Sequence, residues 1–455
     1  MLTESIRFCV ISIGKSCLNI HILFVLTALL LTGQSIAAVL ETQLPNGLTL
    51  IVREDHRAPV IVTQLWYRVG SSYEQTGRTG LSHALEHMMF QGTENVPRGV
   101  YSRTIAELGG DDNAFTARHY TAYYSRLGKE HLKQILEFEA DRMTGLVIDD
   151  ENFLREMEVI REERRSRIDG SVHGRFFEQF QRHVYSDPRM QNPPIGWEAD
   201  LNQLTSDDAR NWYRRWYHPE NSILVINGDV DLIDTLGLVE DYFASIPSAE
   251  PMEQLPVGPA LVPLAEFEWA GKTELPYLIL AYRTPVIAGL ENPQDAVALD
   301  LLSVILGGGN SSRLTNKLVR GQEIALSASA GYDPFERLQG LFVVAANPPD
   351  KIQMSGLEAA LISEVDILKI EPVAASELQR VKTRIIANYV YSQDSMFGVA
   401  SQMGQLESIG IDWRMAERYT EMVKKITPDD LKRVANQYLI EKNLTIGRLL
   451  PETEE

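Results

Sequence analysis

The stretch Gly80-Leu81-Ser82-His83-Ala84-Leu85-Glu86-His87-Met88-Met89-Phe90-Gln91-Gly92-Thr93 decides how the rest of the chain is read. Its centre is His83-Ala84-Leu85-Glu86-His87, two histidines four apart with a glutamate directly before the second. On a helix, side chains at i, i+3 and i+4 share a face, so two imidazoles and a carboxylate converge. A catalytic zinc asks this of one helical turn: two neutral nitrogen ligands, and a carboxylate close to the water it activates. The order H-x-x-E-H reverses the commoner H-E-x-x-H. Taken alone, the pattern also fits an amphipathic helix with two surface histidines.

A catalytic zinc takes three protein ligands and leaves a position open. His83 and His87 supply two, so a carboxylate is sought on another element. In Glu151–Glu163 the spacing puts Glu156, Val159, Ile160 and Glu163 on one stripe of a helix. Acidic residues beside Val and Ile suit a stripe packed against the motif helix, although a solvated charged helix has similar composition. On the packed reading Glu163 is the third metal ligand, and Glu156, two turns earlier, holds a histidine N–H from behind. Glu86 is then the general base. It takes a proton from the attacking water and passes it to the leaving amine.

At 455 residues the chain exceeds one ordinary domain. With 44% hydrophobic and 23% charged residues it has ample material for cores. A net charge of −19 argues against nucleic acid, whose phosphates need clustered Lys and Arg. Arg7 and Lys15, the apolar run Ile22–Leu31 and the small residues at Ser35-Ile36-Ala37 read as an export signal over 1–37. The apolar run is short for a bilayer span, which leaves a membrane anchor as the minor reading. The expected location is therefore outside the cytoplasm, in the periplasm first. Both cysteines, Cys9 and Cys17, fall in this leader, so the exported chain would hold no disulfide, cysteine-ligated zinc or cysteine nucleophile.

Downstream, strands and helices alternate. Thr42–Arg53 reads as a strand pair about Pro45-Asn46-Gly47, Val60–Val69 as an alternating strand, and 113–127 as strand-like. Helices are expected near 129–145, 150–168 and 173–184. Thr205-Ser206-Asp207-Asp208 reads as a capped helix start, and Ser222–Asn227 as a short apolar strand. Pro247, Pro251, Pro256, Pro259 and Pro263 mark a linker, after which the order of elements recurs. The chain thus divides into a leader (1–37), a metal-binding domain (38–250), a linker (251–264) and a similar second domain (265–455), with an α+β fold in which each domain is a mostly antiparallel sheet packed with helices. The remaining histidines (His56, His119, His131, His173, His183, His218) show no ligand pattern, and Trp212-Tyr213 and Trp216-Tyr217 read as core. Gly307-Gly308-Gly309 lacks the Gly-Lys-Ser/Thr of a phosphate loop.

Gly80–Thr93 throughout resembles the signature of the pitrilysin or insulinase family of zinc peptidases, the inverzincins, which include the mitochondrial processing peptidases. Gly70-Ser71-Ser72-Tyr73-Glu74 is similar upstream, and so is Asn113-Ala114-Phe115-Thr116 with Tyr120-Thr121-Ala122-Tyr123-Tyr124 downstream. The 76 residues from His87 to Glu163 suit the family's spacer, and Glu156 falls on its supporting glutamate. Tyr217-His218-Pro219-Glu220-Asn221 and Leu306–Leu314 resemble later segments of the family. The resemblance implies a zinc endopeptidase with one Zn2+ per chain, and two similar domains forming half of a clamshell. It implies that Asn113, Ala114 and Phe115 hold the peptide substrate along a strand edge. Active members also carry an Arg and a Tyr seven apart. Here Val319 and Leu326 stand at those positions, so a homologous partner subunit is expected to supply the pair in a heterodimer, with a homodimer as the simpler arrangement. The competing reading is a non-catalytic, peptide-binding or structural subunit.

Overall fold

The structure, a computed structural model, describes residues 38–249, 262–349 and 354–452. The expected leader and all but the last residues of the expected linker lie outside these. Among the described residues no helix is long and apolar enough to cross a membrane.

Two sheets organise the chain. The first has six strands in the order β1 (Val39–Gln43), β2 (Thr49–Glu54), β6 (Ser222–Gly228), β3 (Val60–Tyr67), β5 (Thr121–Gly128), β4 (Asp111–Thr116). The second has five, in the order β7 (Glu266–Gly271), β11 (Leu444–Pro451), β8 (Tyr277–Thr284), β10 (Gly340–Asn347), β9 (Ser327–Gly331). Without β1 the two sheets have the same strand order. In each, the first strand of the pattern (β2 or β7) runs parallel to the last (β6 or β11), and every other pairing is antiparallel. The recurrence visible as an order of elements in the sequence is thus a repeated topology, and both halves mix α and β as expected.

The strands are more buried than their alternation suggested. In β3 every residue after Val60 is buried, because both faces of the sheet are covered. Ile61, Leu65 and Tyr67 enter a core with Leu50, Val52, Leu224 and Ile226, and Trp212, Trp216 and Tyr217 join the same core. Val62 and Trp66 point the other way, with Ile51, Ile223 and Val225. That opposite face is covered by Val399, Ala400 and Met403 of the helix Met396–Ser408, from the second half of the chain. The converse holds for the second sheet. Ile279, Ala281 and Leu449 on its outer face pack against Phe176, Phe180 and Val184 of the helix Val172–Val184, from the first half. Each contact is close enough to need a glycine. A Cβ on Gly404 would lie 2.1 Å from Trp66 Nε1, and one on Gly447 2.6 Å from Phe180 Cδ2. Each half therefore lends one helix to the other.

Candidate metal centre

The helix Leu81–Met88 buries Leu81, Ala84, Leu85 and Met88, which leaves His83, Glu86 and His87 on the face away from the core. Its start is clamped rather than capped in the usual way. Gly80, at φ 89°, offers no side chain. The buried Glu74 carboxylate accepts the Gly80 and Ser82 N–H groups, each at 2.7 Å, and so satisfies two amides of the first turn. Burial pushes the Glu74 carboxyl up to about 7, against the pull of these two bonds.

The helix Asp150–Arg164 starts at Asp149, whose side chain accepts the Asn152 N–H. Phe153, Met157 and Ile160 enter the core, and Glu156 is buried beside them. The expected stripe divides at Val159, which is 47% exposed and faces a cavity. At about 100° per residue, Val159 and Ile160 fall on opposite sides of the line from Glu156 to Glu163. That line points at the motif helix. Glu163 Oε2 lies 3.6 Å from His83 Nε2 and 3.6 Å from His87 Nε2. Among the described residues, His83, His87 and Glu163 form a group whose donor atoms all lie within 4.8 Å of one another. Zinc with ligands at about 2.0–2.2 Å in tetrahedral geometry separates its donors by roughly 3.3–3.6 Å, so two nitrogens and one oxygen here fit such an ion.

The surroundings suit that chemistry. Glu156 Oε2 is 3.3 Å from His87 Nδ1. Burial, helped by His87 and then Arg167, pushes His83 down to about 3, so its imidazole is neutral, the form that binds metals. Among the described residues, the buried His83 Nδ1 has no hydrogen-bond partner. Glu86 is not in the donor group. Its Oε2 accepts the Thr116 hydroxyl at 2.5 Å, and burial raises its carboxyl while that bond opposes the rise. Sequence reasoning placed Thr116 in a substrate segment, not against Glu86. Glu163 Oε1 is held by Arg167, four residues on, the spacing of an ion pair along a helix.

These groups open on a cavity of about 1300 Å³. One wall is β4, the outermost strand of its sheet, and Asn113, Ala114 and Phe115 all line the cavity. The Asn113 side chain accepts the Ala114 N–H at 2.8 Å. The facing wall comes from the second half and includes Asp333, Phe335 and Glu336. The two walls are tied through His119, which is buried, bonded to Ser72 Oγ at 2.9 Å, and 3.0 Å from Glu336 Oε2. Val319 packs against the second core and Leu326 is exposed.

Comparison with known proteins gives the chain its relatives. The pattern of the insulinase family (peptidase family M16) matches residues 49–194, and that of the peptidase M16 inactive domain matches 203–385. The chain is 28% identical over 415 residues to the zinc protease PqqE of Helicobacter pylori, covering 90% of this chain and 92% of that protein. It is 24% identical over 425 residues to the mitochondrial-processing peptidase subunit beta of Saccharomyces cerevisiae, covering 90% of each. Among solved structures, a protease from Helicobacter pylori superposes with a TM-score of 0.84 at 26% identity, over 91% of this chain and all of that one. The periplasmic protease PqqL of Escherichia coli shares the fold at 20% identity, with a TM-score of 0.76. This chain spans 90% of its own length there but 47% of PqqL. The two consecutive domain patterns, the doubled sheet and relatives that match over 90% of this chain place it in the M16, insulinase-type, peptidase family.

Proposed function

We propose that the chain is a zinc-dependent endopeptidase that cleaves unfolded peptides in its cavity. One observation carries the reading: His83, His87 and Glu163 face one point, with the separate carboxylate of Glu86 beside them, at the mouth of an unpaired strand edge. The three donors would hold one Zn2+, which when bound supplies Lewis acidity and water activation. Glu86, held by Thr116, takes the proton of the attacking water on its carboxylate and delivers it to the leaving amine. Burial keeps that carboxyl closer to neutrality than an exposed glutamate, which suits it to both transfers. An extended peptide adds to β4 through its main chain, with Asn113, Ala114 and Phe115 alongside, a mode that tolerates varied sequence. Glu156 fixes the His87 ring.

A homologous partner completes the enzyme. The chain spans about half of PqqL, and it carries Val319 and Leu326 where the resemblance expects an Arg and a Tyr, so a second subunit supplies that pair. The export signal read over 1–37 would take the chain to the periplasm, where PqqL is named a protease.

The test is a pair of substitutions in purified protein with its partner. Glu86→Gln should keep zinc, by metal analysis, and lose cleavage of an unstructured peptide. Glu163→Gln should lose both. Cleavage by pure Glu86→Gln at the parent rate would refute the assigned base, and full zinc content in Glu163→Gln would refute the ligand set.

A further inference from the structure

The ligand helix does not stop at Glu163. After Arg164 the chain widens into a π turn, Arg165–Asp169, closed by the Gly170 N–H on Arg165 O at 2.7 Å. Wide turns of this kind are rare inside helices and concentrate at functional sites. This one is pinned on both sides. The buried Arg164 donates to both oxygens of Glu178, at 2.7 and 2.8 Å, and to Gly196 O at 2.7 Å. Gly174 lets the next helix approach, since a Cβ there would meet Ile168 O at 2.9 Å and Arg167 O at 3.0 Å.

From this fixed backbone the Arg167 side chain, 72% exposed, lines the cavity and returns to Glu163, its Nη1 lying 2.5 Å from Oε1. The carboxylate is thereby divided. One oxygen belongs to the guanidinium, and the other faces the two imidazoles. An exposed pair four residues apart on a helix contributes little to stability, so the consequence lies in the geometry of Glu163. A carboxylate with both oxygens free can bind a metal through one or both. A carboxylate with one oxygen engaged offers a single donor in a set direction.

We propose that Arg167 is a positioning residue that holds Glu163 as a one-oxygen metal donor. Glu156 serves His87 in a comparable way from the other side of the site. The inference rests on the reading of His83, His87 and Glu163 as metal ligands, and it adds what keeps that set at three donor atoms.

The experiment uses the full chain, stripped of metal and reloaded with zinc or cobalt(II), as parent, Arg167→Ala and Arg167→Lys. Chelator competition measures zinc affinity, and the visible absorption of the cobalt form reports coordination number. Arg167→Ala should bind zinc about 10–100-fold more weakly, the range for loss of a residue supporting a ligand. Its cobalt bands should weaken as the second Glu163 oxygen joins the ion. Arg167→Lys, which can still hold one oxygen, should recover part of both. Zinc affinity within twofold of the parent, with an unchanged cobalt spectrum, overturns the proposal. A parent protein that binds neither ion overturns the metal reading beneath it. Should Arg167→Ala lose its fold, Arg167→Met, which keeps most of the apolar stem, makes the same comparison.

Discussion

The site is assembled from single contacts, each with its own expected effect. Glu156 stands behind His87, so under the proposed ligand set Glu156→Gln should weaken zinc binding about 10–100-fold while leaving the fold intact. Chelator competition measures this. Thr116 holds Glu86, and its hydrogen bond works against the burial that raises that carboxyl. The base proposed for Glu86 is its ionised carboxylate. Thr116→Val should therefore move the acidic limb of kcat/KM against pH to higher pH, and an unmoved limb would separate the two residues. His83, Glu86 and His87 were legible because they share one turn, where spacing alone dictates the face. Glu163 was legible through its stripe. Thr116 and Arg167 were not. The first meets Glu86 only because β4 runs past the motif helix, and the second has a four-residue spacing that suits an ion pair on any helix and does not by itself single out a metal ligand.

At the scale of the element, the motif helix is set by a residue outside it. Glu74 accepts two amides of its first turn, and Glu74→Ala would leave both buried without partners, at about 1–3 kcal/mol each. Urea unfolding should show this as a lowered midpoint. The same residue sets a pH dependence. Its carboxyl is raised from 4.5 to about 7, so between those values the folded protein binds more proton than the unfolded chain. Stability from this group is therefore complete below about 4.5 and lost as pH rises through about 7, by roughly 3 kcal/mol in all. Glu74→Gln should remove that slope in midpoints measured from pH 4.5 to 7.5. The capping box at Thr205 could be read directly, because its partner Asp208 is three residues on. The Glu74 clamp could not, because a 3-10 turn, Ser71–Tyr73, and a loop carry the carboxylate back to amides six and eight residues later.

Over the whole molecule, the two halves share their outer cores. Gly404→Ala would press a methyl group into Trp66, and overpacking of this kind costs about 1–3 kcal/mol. The loss should appear as one cooperative transition shifted as a unit, since the helix Met396–Ser408 and the first sheet stand or fall together. A fragment of residues 38–249 lacks the cover over Val62, Trp66, Ile223 and Val225. It should bind an apolar dye and unfold without cooperativity, and co-expression with residues 262–455 should restore a sharp transition. A cooperative, dye-free fragment would show that the borrowed helix is dispensable. The doubling of the halves could be seen in the sequence as an order of elements. The loan of helices could not, because it joins residues such as Gly404 and Trp66 that no local period connects.

That loan also speaks to ancestry. A single primitive copy of this sheet would have had one naked face and one spare helix. Two such copies could have satisfied each other by trading arms, as partners in a symmetric pair. Joining their genes end to end would then have turned a handshake between molecules into a fold within one, after which neither copy could be discarded.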